Sequence, residues 1–221
     1  MNRRILPPAA AAIAATAALV LTACSSNDAK PQNSDKVAGA DQGGGSSTTP
    51  SASASASAPS ADRPKIELPA DVTDSFDPVS AGDPVKDAVL SDNAEFVRAL
   101  DAAITAGNPR LPALEYYTEG EGAVAANKWV KEFSDAGWTV TGSTRYYNRA
   151  VTVHSAKSAS LSYCGDESKA FSKVVKTGEV KKTPATKNSY VAYGVQVTKN
   201  DKGVWEVTSI KSTRGAETCQ P

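Results

Sequence analysis

Few residues of this 221-residue chain could do more than pack. Three are cysteines, Cys24, Cys164 and Cys219, and another is the single histidine, His154. Cys24 closes an apolar run, Ile5 to Leu21, that Arg3 and Arg4 precede. That is a charged region, a short apolar region and a small residue at the cut, the pattern of an export signal. The acid–base candidates are Tyr116, Tyr117, Tyr146, Tyr147, Asp166, Glu167 and His154. A cavity enzyme would need a carboxylate to move a proton and a Tyr or neutral Asp to hold an oxyanion. The spacing of this set matches no such constellation. Asp166 and Glu167 follow a strand end and read equally well as a solvated turn. Tyr147 alternates with Val151 and Val153 and reads as core. His154 falls on the opposite side of that strand, on an exposed face or a cavity wall. Neither Gly-x-Ser-x-Gly nor a phosphate-binding glycine fingerprint occurs. Two further Cys and one His are a poor set for zinc, which normally takes four N/S ligands. Neither a metal nor a cofactor is expected.

Leu21-Thr22-Ala23-Cys24 resembles the lipobox of bacterial lipoproteins. The resemblance implies that Cys24 takes a diacylglyceryl group, that the chain is cut before it, and that Cys24 becomes the first, lipidated residue. Cell-membrane attachment at the outer face follows, with palmitate-type chains as the anchor. If Cys24 carries lipid, Cys164 and Cys219 remain as an even pair, and outside the cytoplasm such a pair can stay oxidised. A disulfide is the expectation, with two free thiols or a metal half-site as the alternatives.

Cleavage before Cys24 removes 23 of the 221 residues and two of the 24 basic ones, leaving 198 residues and a net charge of about −2. No basic excess or run of like charge argues for nucleic acid. From residue 25 to about 65 the chain holds Gly43-Gly44-Gly45, Ser46-Ser47-Thr48-Thr49 and alternating Ser-Ala, with no aromatic residue before Phe76. Such a segment cannot bury enough apolar surface to offset its ordering entropy. As a flexible tether of some 40 residues it would span about 35 Å. A Pro-containing lead-in, Ile66 to Ala81, docks loosely on the body. The expected organisation is 1–23 signal peptide, 24–79 lipidated Cys, tether and lead-in, and 80–221 folded domain.

Asp83 then Pro84 is an N-cap with Pro at the first helical position. Val85, Ala88 and Val89, then Phe96, Val97, Leu100 and Ile104, recur at helical spacing. Ser91-Asp92-Asn93 between them is a break or a second N-cap, and Gly107 ends the helix. Leu111 to Tyr117 is a short helix. Ala123 to Ala136 is a third, with Val124, Val130 and Phe133 on one face, Trp129 at its edge and Gly137 as the stop. From Trp138 the period changes from 3.6 to 2. Strands are expected over Thr139 to His154, Ser158 to Cys164, Phe171 to Lys176, Glu179 to Thr183, Asn188 to Thr198 and Val204 to Ser212, with Thr177-Gly178 a hairpin turn. Helices first and antiparallel strands after make an α+β domain whose sheet is covered on one face.

This order, over roughly residues 80 to 219, resembles the nuclear transport factor two / ketosteroid isomerase superfamily, the SnoaL-like and cystatin-like cones. The resemblance implies a curved antiparallel sheet wrapped on N-terminal helices, with a cavity at the open end. A narrower likeness is to extracytoplasmic lipoproteins of high-GC Gram-positive bacteria. It rests on Gly107-Asn108-Pro109 and Pro112-Ala113-Leu114, on Tyr163-Cys164-Gly165-Asp166-Glu167-Ser168, on Gly203-Val204-Trp205, and on the closing Cys219. It implies a fold and a compartment, not a chemistry. Within a cone, Tyr116, Trp129, Tyr147, Tyr193 and Trp205 are the candidate cavity-lining residues, and core packing is the competing reading for each tryptophan. The expected role is a lipid-anchored, non-catalytic binding or interaction module at the envelope, its partners the membrane and a small apolar ligand or an envelope protein. The rival is a cone-fold enzyme, isomerase- or cyclase-like, acting on a small apolar substrate. A buried carboxylate facing an aromatic-lined cavity would favour the enzyme; a cavity filled by side chains would favour the module.

Overall fold

The structure, a computed structural model, describes residues 62–221. The expected leader, the expected lipid acceptor Cys24 and most of the expected tether lie outside the described residues. Within them, strand β1 (Val72–Phe76) precedes helices α1 (Pro84–Ala106), α2 (Pro112–Tyr116) and α3 (Gly120–Ala136). Strands β2 (Trp138–Ser155), β3 (Ser158–Val174), β4 (Val180–Lys181), β5 (Tyr190–Lys199) and β6 (Trp205–Arg214) come after. The sheet order is β1-β2-β3-β5-β6, with β4 paired to the far end of β3. All pairings are antiparallel except β1 with β2, which is parallel.

The helix ends follow the sequence signals. Asp83 accepts from the backbone N–H of Val85 and Lys86, and Gly107 and Gly137 close α1 and α3 in the left-handed conformation that glycine adopts without a Cβ clash. The lead-in, however, is part of the sheet. Val72, Asp74 and Phe76 pair with Gly142, Thr144 and Tyr146, so the folded unit begins upstream of the expected boundary at residue 80.

Ser91-Asp92-Asn93 does not interrupt α1, which runs unbroken for 23 residues. Asp92 is 1% exposed and ties three segments together. It accepts from the Trp205 backbone N–H at 2.8 Å and from the Arg63 guanidinium. Val124 is exposed, contrary to the expected face. The side of α3 that meets the sheet is the smaller one, Gly122, Ala126 and Val130. A Cβ on Gly122 would lie 2.1 Å from the Val207 carbonyl oxygen, so only glycine permits this approach of helix to β6.

The sheet owes its curvature to long strands with irregular register. β2 is 18 residues long and shifts against β3 between Ser143 and Arg145, between Tyr147 and Ala150, and between Val153 and Ser155. Each shift bends the strand and increases its local twist. The strand predicted to end at Cys164 continues through Asp166 and Glu167, making β3 a single 17-residue strand. The result is an α+β cone: α1 lies against the concave face, buried on nearly every side by Val89, Leu90, Phe96, Val97, Leu100 and Ile104.

Candidate functional site

A cavity of about 630 Å³ opens between α1, α3 and the concave face of the sheet. That falls within the range of about 300–1,000 Å³ that small-molecule sites occupy. Its inner part is formed by Phe96, Val97, Leu100 and Ile104 of α1, Trp129 and Phe133 of α3, and Tyr146, Tyr163 and Tyr193 of the sheet. Trp138, Lys181 at the end of β4, and Thr183, Pro184 and Thr186 after it are exposed lining residues that form part of the rim.

The aromatic wall follows from the strand register. Tyr163 is paired with Tyr193, and their rings stack at 5.0 Å. Tyr146 meets Tyr163 edge-on at 6.0 Å and stacks on Phe76 at 5.2 Å, while Trp129 lies 6.5 Å from Tyr193. Gly165, opposite Tyr146 in the register, leaves room for the rings. A Cβ there would come within 3.1 Å of the Tyr193 ring and 3.5 Å of the Tyr146 ring. Burial pushes the phenols of Tyr146 and Tyr193 well above the ordinary value and that of Tyr163 up to about 12, so all three stay neutral donors.

Two groups of charge meet this wall. Glu167 accepts from the Tyr193 hydroxyl at 3.2 Å and from Arg214 at 2.7 Å, and Arg214 also donates to the Asn188 carbonyl. Glu167 is thus a paired carboxylate on an inward-facing strand position rather than part of a solvated turn. The second group is Asp101 of α1 with Asp74 of β1. Asp101 lines the cavity, and Asp74 lies close enough that the two carboxyls influence each other's ionisation. Both Asp74 oxygens are buried and without a hydrogen-bond partner. Two neighbouring carboxylates withdrawn from water repel each other, so the pair favours holding a proton. Burial raises the Asp101 carboxyl well above the usual range and the Asp74 charge raises it further. Burial raises Asp74 too, opposed by the Arg98 charge and by Asp101. The two carboxyls therefore titrate as a pair that favours one proton between them.

Of the residues expected to line the cavity, Trp129 and Tyr193 do. Tyr147 does not. Asn148 adopts a positive φ of 52° beside the register shift, which inverts the alternation, so Tyr146 and Arg149 turn inward and Tyr147 outward. Tyr147 lies next to Cys164 in the register, and its hydroxyl donates to the Cys219 carbonyl. Trp205 is 1% exposed in the core near Asp92, and Tyr116 packs edge-on against Tyr117; neither reaches the cavity. His154 is exposed and hydrogen-bonds Ser160 at 2.9 Å. Cys164 and Cys219 are joined as a disulfide, Cα to Cα 5.5 Å, on the sheet face opposite the cavity. Asp74 and Asp101 were absent from the sequence-derived candidates. Each looks like an ordinary surface aspartate, and only a polar residue on the helix face of Val97, Leu100 and Ile104 hints at Asp101. Among the described residues, no group of three His, Cys, Asp or Glu side chains converges to hold a metal.

No family model matches the chain, and no curated protein matches it. Solved structures do. A ketosteroid isomerase-like protein from Erwinia carotovora atroseptica is 16% identical over 57% of this chain and 93% of its own, with a TM-score of 0.41. A domain with a cystatin-like fold from Nostoc punctiforme is 15% identical over 56% of this chain and 77% of its own, with a TM-score of 0.36. The assignment of a cone rests on the element order and strand register described above, and these likenesses say nothing of activity.

Proposed function

We propose that this protein is a lipid-anchored module on the outer face of the cell membrane that holds a small, largely apolar ligand in its cone. The observation that carries the binding reading is the cavity. It is open rather than filled by side chains, walled by aromatic rings and furnished with few polar groups. This is the usual composition of a small-molecule site. The anchor is supported by the Leu21 to Cys24 box alone. Two acyl chains, at about 0.8 kcal/mol per buried CH₂, suffice for stable attachment where a single chain is marginal. The two parts are tested separately. Native mass spectrometry of the protein purified from its own envelope should find a retained small molecule, and a Val140→Trp variant, which fills the cavity, should lose it. Equal recovery from both, or none from either, removes the binding reading. Cys24→Ser should move the protein out of the membrane fraction and abolish palmitate labelling; retention of both would remove the anchor.

The second reading, an acid–base enzyme of isomerase or cyclase type, is favoured by Asp101 and Asp74. A buried carboxyl held neutral can donate to a developing oxyanion, and a neighbouring carboxylate can accept a proton. It demands turnover of the retained molecule, lost in Asp101→Asn without loss of binding.

A further inference from the structure

We propose that the cavity selects a protonated amine, a small ammonium compound with an aromatic or otherwise apolar body, its charge set against Asp101 and Asp74 and its body against the tyrosine wall. This rests on the reading of the cavity as a ligand site and names the class of ligand.

Charge pairing singles out the two aspartates. The basic groups around the cavity are already paired. Arg214 is taken by Glu167, Lys181 by Glu179, and Arg98 by Glu95 with its guanidinium over the Phe76 ring. Glu167 in turn is satisfied by Arg214 and Tyr193. Among the described residues no basic side chain is bonded to Asp74 or Asp101, and both Asp74 oxygens lack any hydrogen-bond partner. Asp101 is half-buried and lines the cavity, so a molecule inside reaches it. A cation is the missing complement, because a buried charge is tolerated only when paired and hydrogen-bonded. The wall supplies the second half of an ammonium site. Ring faces attract cations, most strongly when water is excluded. Tyr146, close enough to feel both carboxyls, connects the pair to Tyr163 and Tyr193.

The protons balance simply. The free pair holds one proton between two carboxyls. An entering R–NH₃⁺ donates an N–H bond to the cavity-lining Asp101 carboxylate, with Asp74 adding its charge from behind, and the proton held by the pair leaves to solvent. Binding therefore releases a proton and weakens as pH falls. The titratable groups facing the pair are Arg98 on α1, Tyr146 on β2 and Glu167 on β3, the last neutralised by Arg214 on β6. Arg98 and Arg214 are already cations and Tyr146 is held neutral, so none of these three takes up the released proton.

The test uses the mature chain with Cys24→Ser, so that no detergent competes for the cavity. Three probes share one ring system: 2-naphthylmethylammonium, 2-naphthylmethanol and 2-naphthoate. Titration calorimetry at pH 7.5 should show the ammonium binding at least about tenfold more tightly than the alcohol. The naphthoate should be weakest. Repeating the titration near pH 6 in buffers of different ionisation enthalpy should show proton release. Asp101→Asn should bring the ammonium down to the alcohol's affinity while the alcohol's own binding changes by less than about twofold, a ratio that corresponds to only a few tenths of a kcal/mol. Asp74→Asn is the second variant, with the same expectation. Alcohol or naphthoate binding as tightly as the ammonium would overturn the ligand class and leave the cavity a binding site. A full preference surviving in both variants would overturn the role of the pair. If all three probes fail to bind protein whose circular dichroism is that of the folded chain, the cavity reading falls with it.

Discussion

Replacing Arg63 with Ala is expected to destabilise the domain well beyond what a surface residue should. Arg63 lies nine residues before the first strand, yet its guanidinium pairs with Asp92, whose side chain is 1% exposed while that of Arg63 is 26% exposed. Without Arg63, the Asp92 carboxylate keeps only the Trp205 backbone N–H as partner. Breaking a buried pair from one side costs about 3–5 kcal/mol, because the remaining charge is left uncompensated. Water can reach the vacated position, since Arg63 is itself partly exposed, so a smaller cost of about 2–3 kcal/mol is expected. For a folded unit of this size each kcal/mol moves the midpoint by about 2–4 °C, so Arg63→Ala should lower Tm by about 4–12 °C. Thermal unfolding by circular dichroism measures this. Asp92→Asn, which removes the charge but keeps the shape, should abolish most of the further effect of Arg63→Ala in a double-mutant cycle. A chain starting at Val72 loses Arg63 and should show the same fall. A Tm within about 1 °C of the parent for both Arg63→Ala and the truncation would mean that the pair contributes nothing, and that residues upstream of β1 are dispensable.

Three further outcomes are expected. Cys219→Ser opens the loop closed by the Cys164–Cys219 bond, whose partners are 55 residues apart, and should cost up to about 4 kcal/mol in chemical denaturation; an unchanged midpoint would remove the bond's contribution to stability. Gly122→Ala drives a methyl into the Val207 carbonyl and should cost about 1–3 kcal/mol, read from the same unfolding curves, and an intact midpoint would contradict the close approach of α3 to β6. The raised Asp74 and Asp101 carboxyls bind protons more tightly in the folded than in the unfolded chain, so their contribution is fully present below an ordinary carboxylate pKa of about 4 and is lost as pH rises through their raised values. Asp101→Asn should therefore raise Tm above that of the parent at pH 7.5 but not at pH 4, and a variant less stable than the parent at pH 7.5 would refute the shared proton.

The sequence by itself determined what depends on neighbours in the chain. Asp83-Pro84, Gly107 and Gly137 specify helix ends through backbone groups within one turn, and the structure places the ends of α1 and α3 there. Strict alternation in Val191, Tyr193, Val195 and Val197 is visible without a partner strand, and all four are buried. Cysteine arithmetic pointed to Cys164 with Cys219 because the lipobox resemblance set Cys24 aside for an expected separate use, and the structure bonds that pair. The tertiary structure alone decided the rest. A register shift at Asn148 turned Tyr146 inward and Tyr147 outward, since one added residue reverses the side-chain parity of the residues before it relative to those after it. β1 has only five residues and gains its place through parallel pairing with β2, an interaction between positions some 70 residues apart that no local pattern encodes. The same pairing sets Asp74 against Asp101. Each is an ordinary aspartate in the sequence, and their chemistry arises only because the fold draws both from water and sets them side by side, which raises both carboxyls.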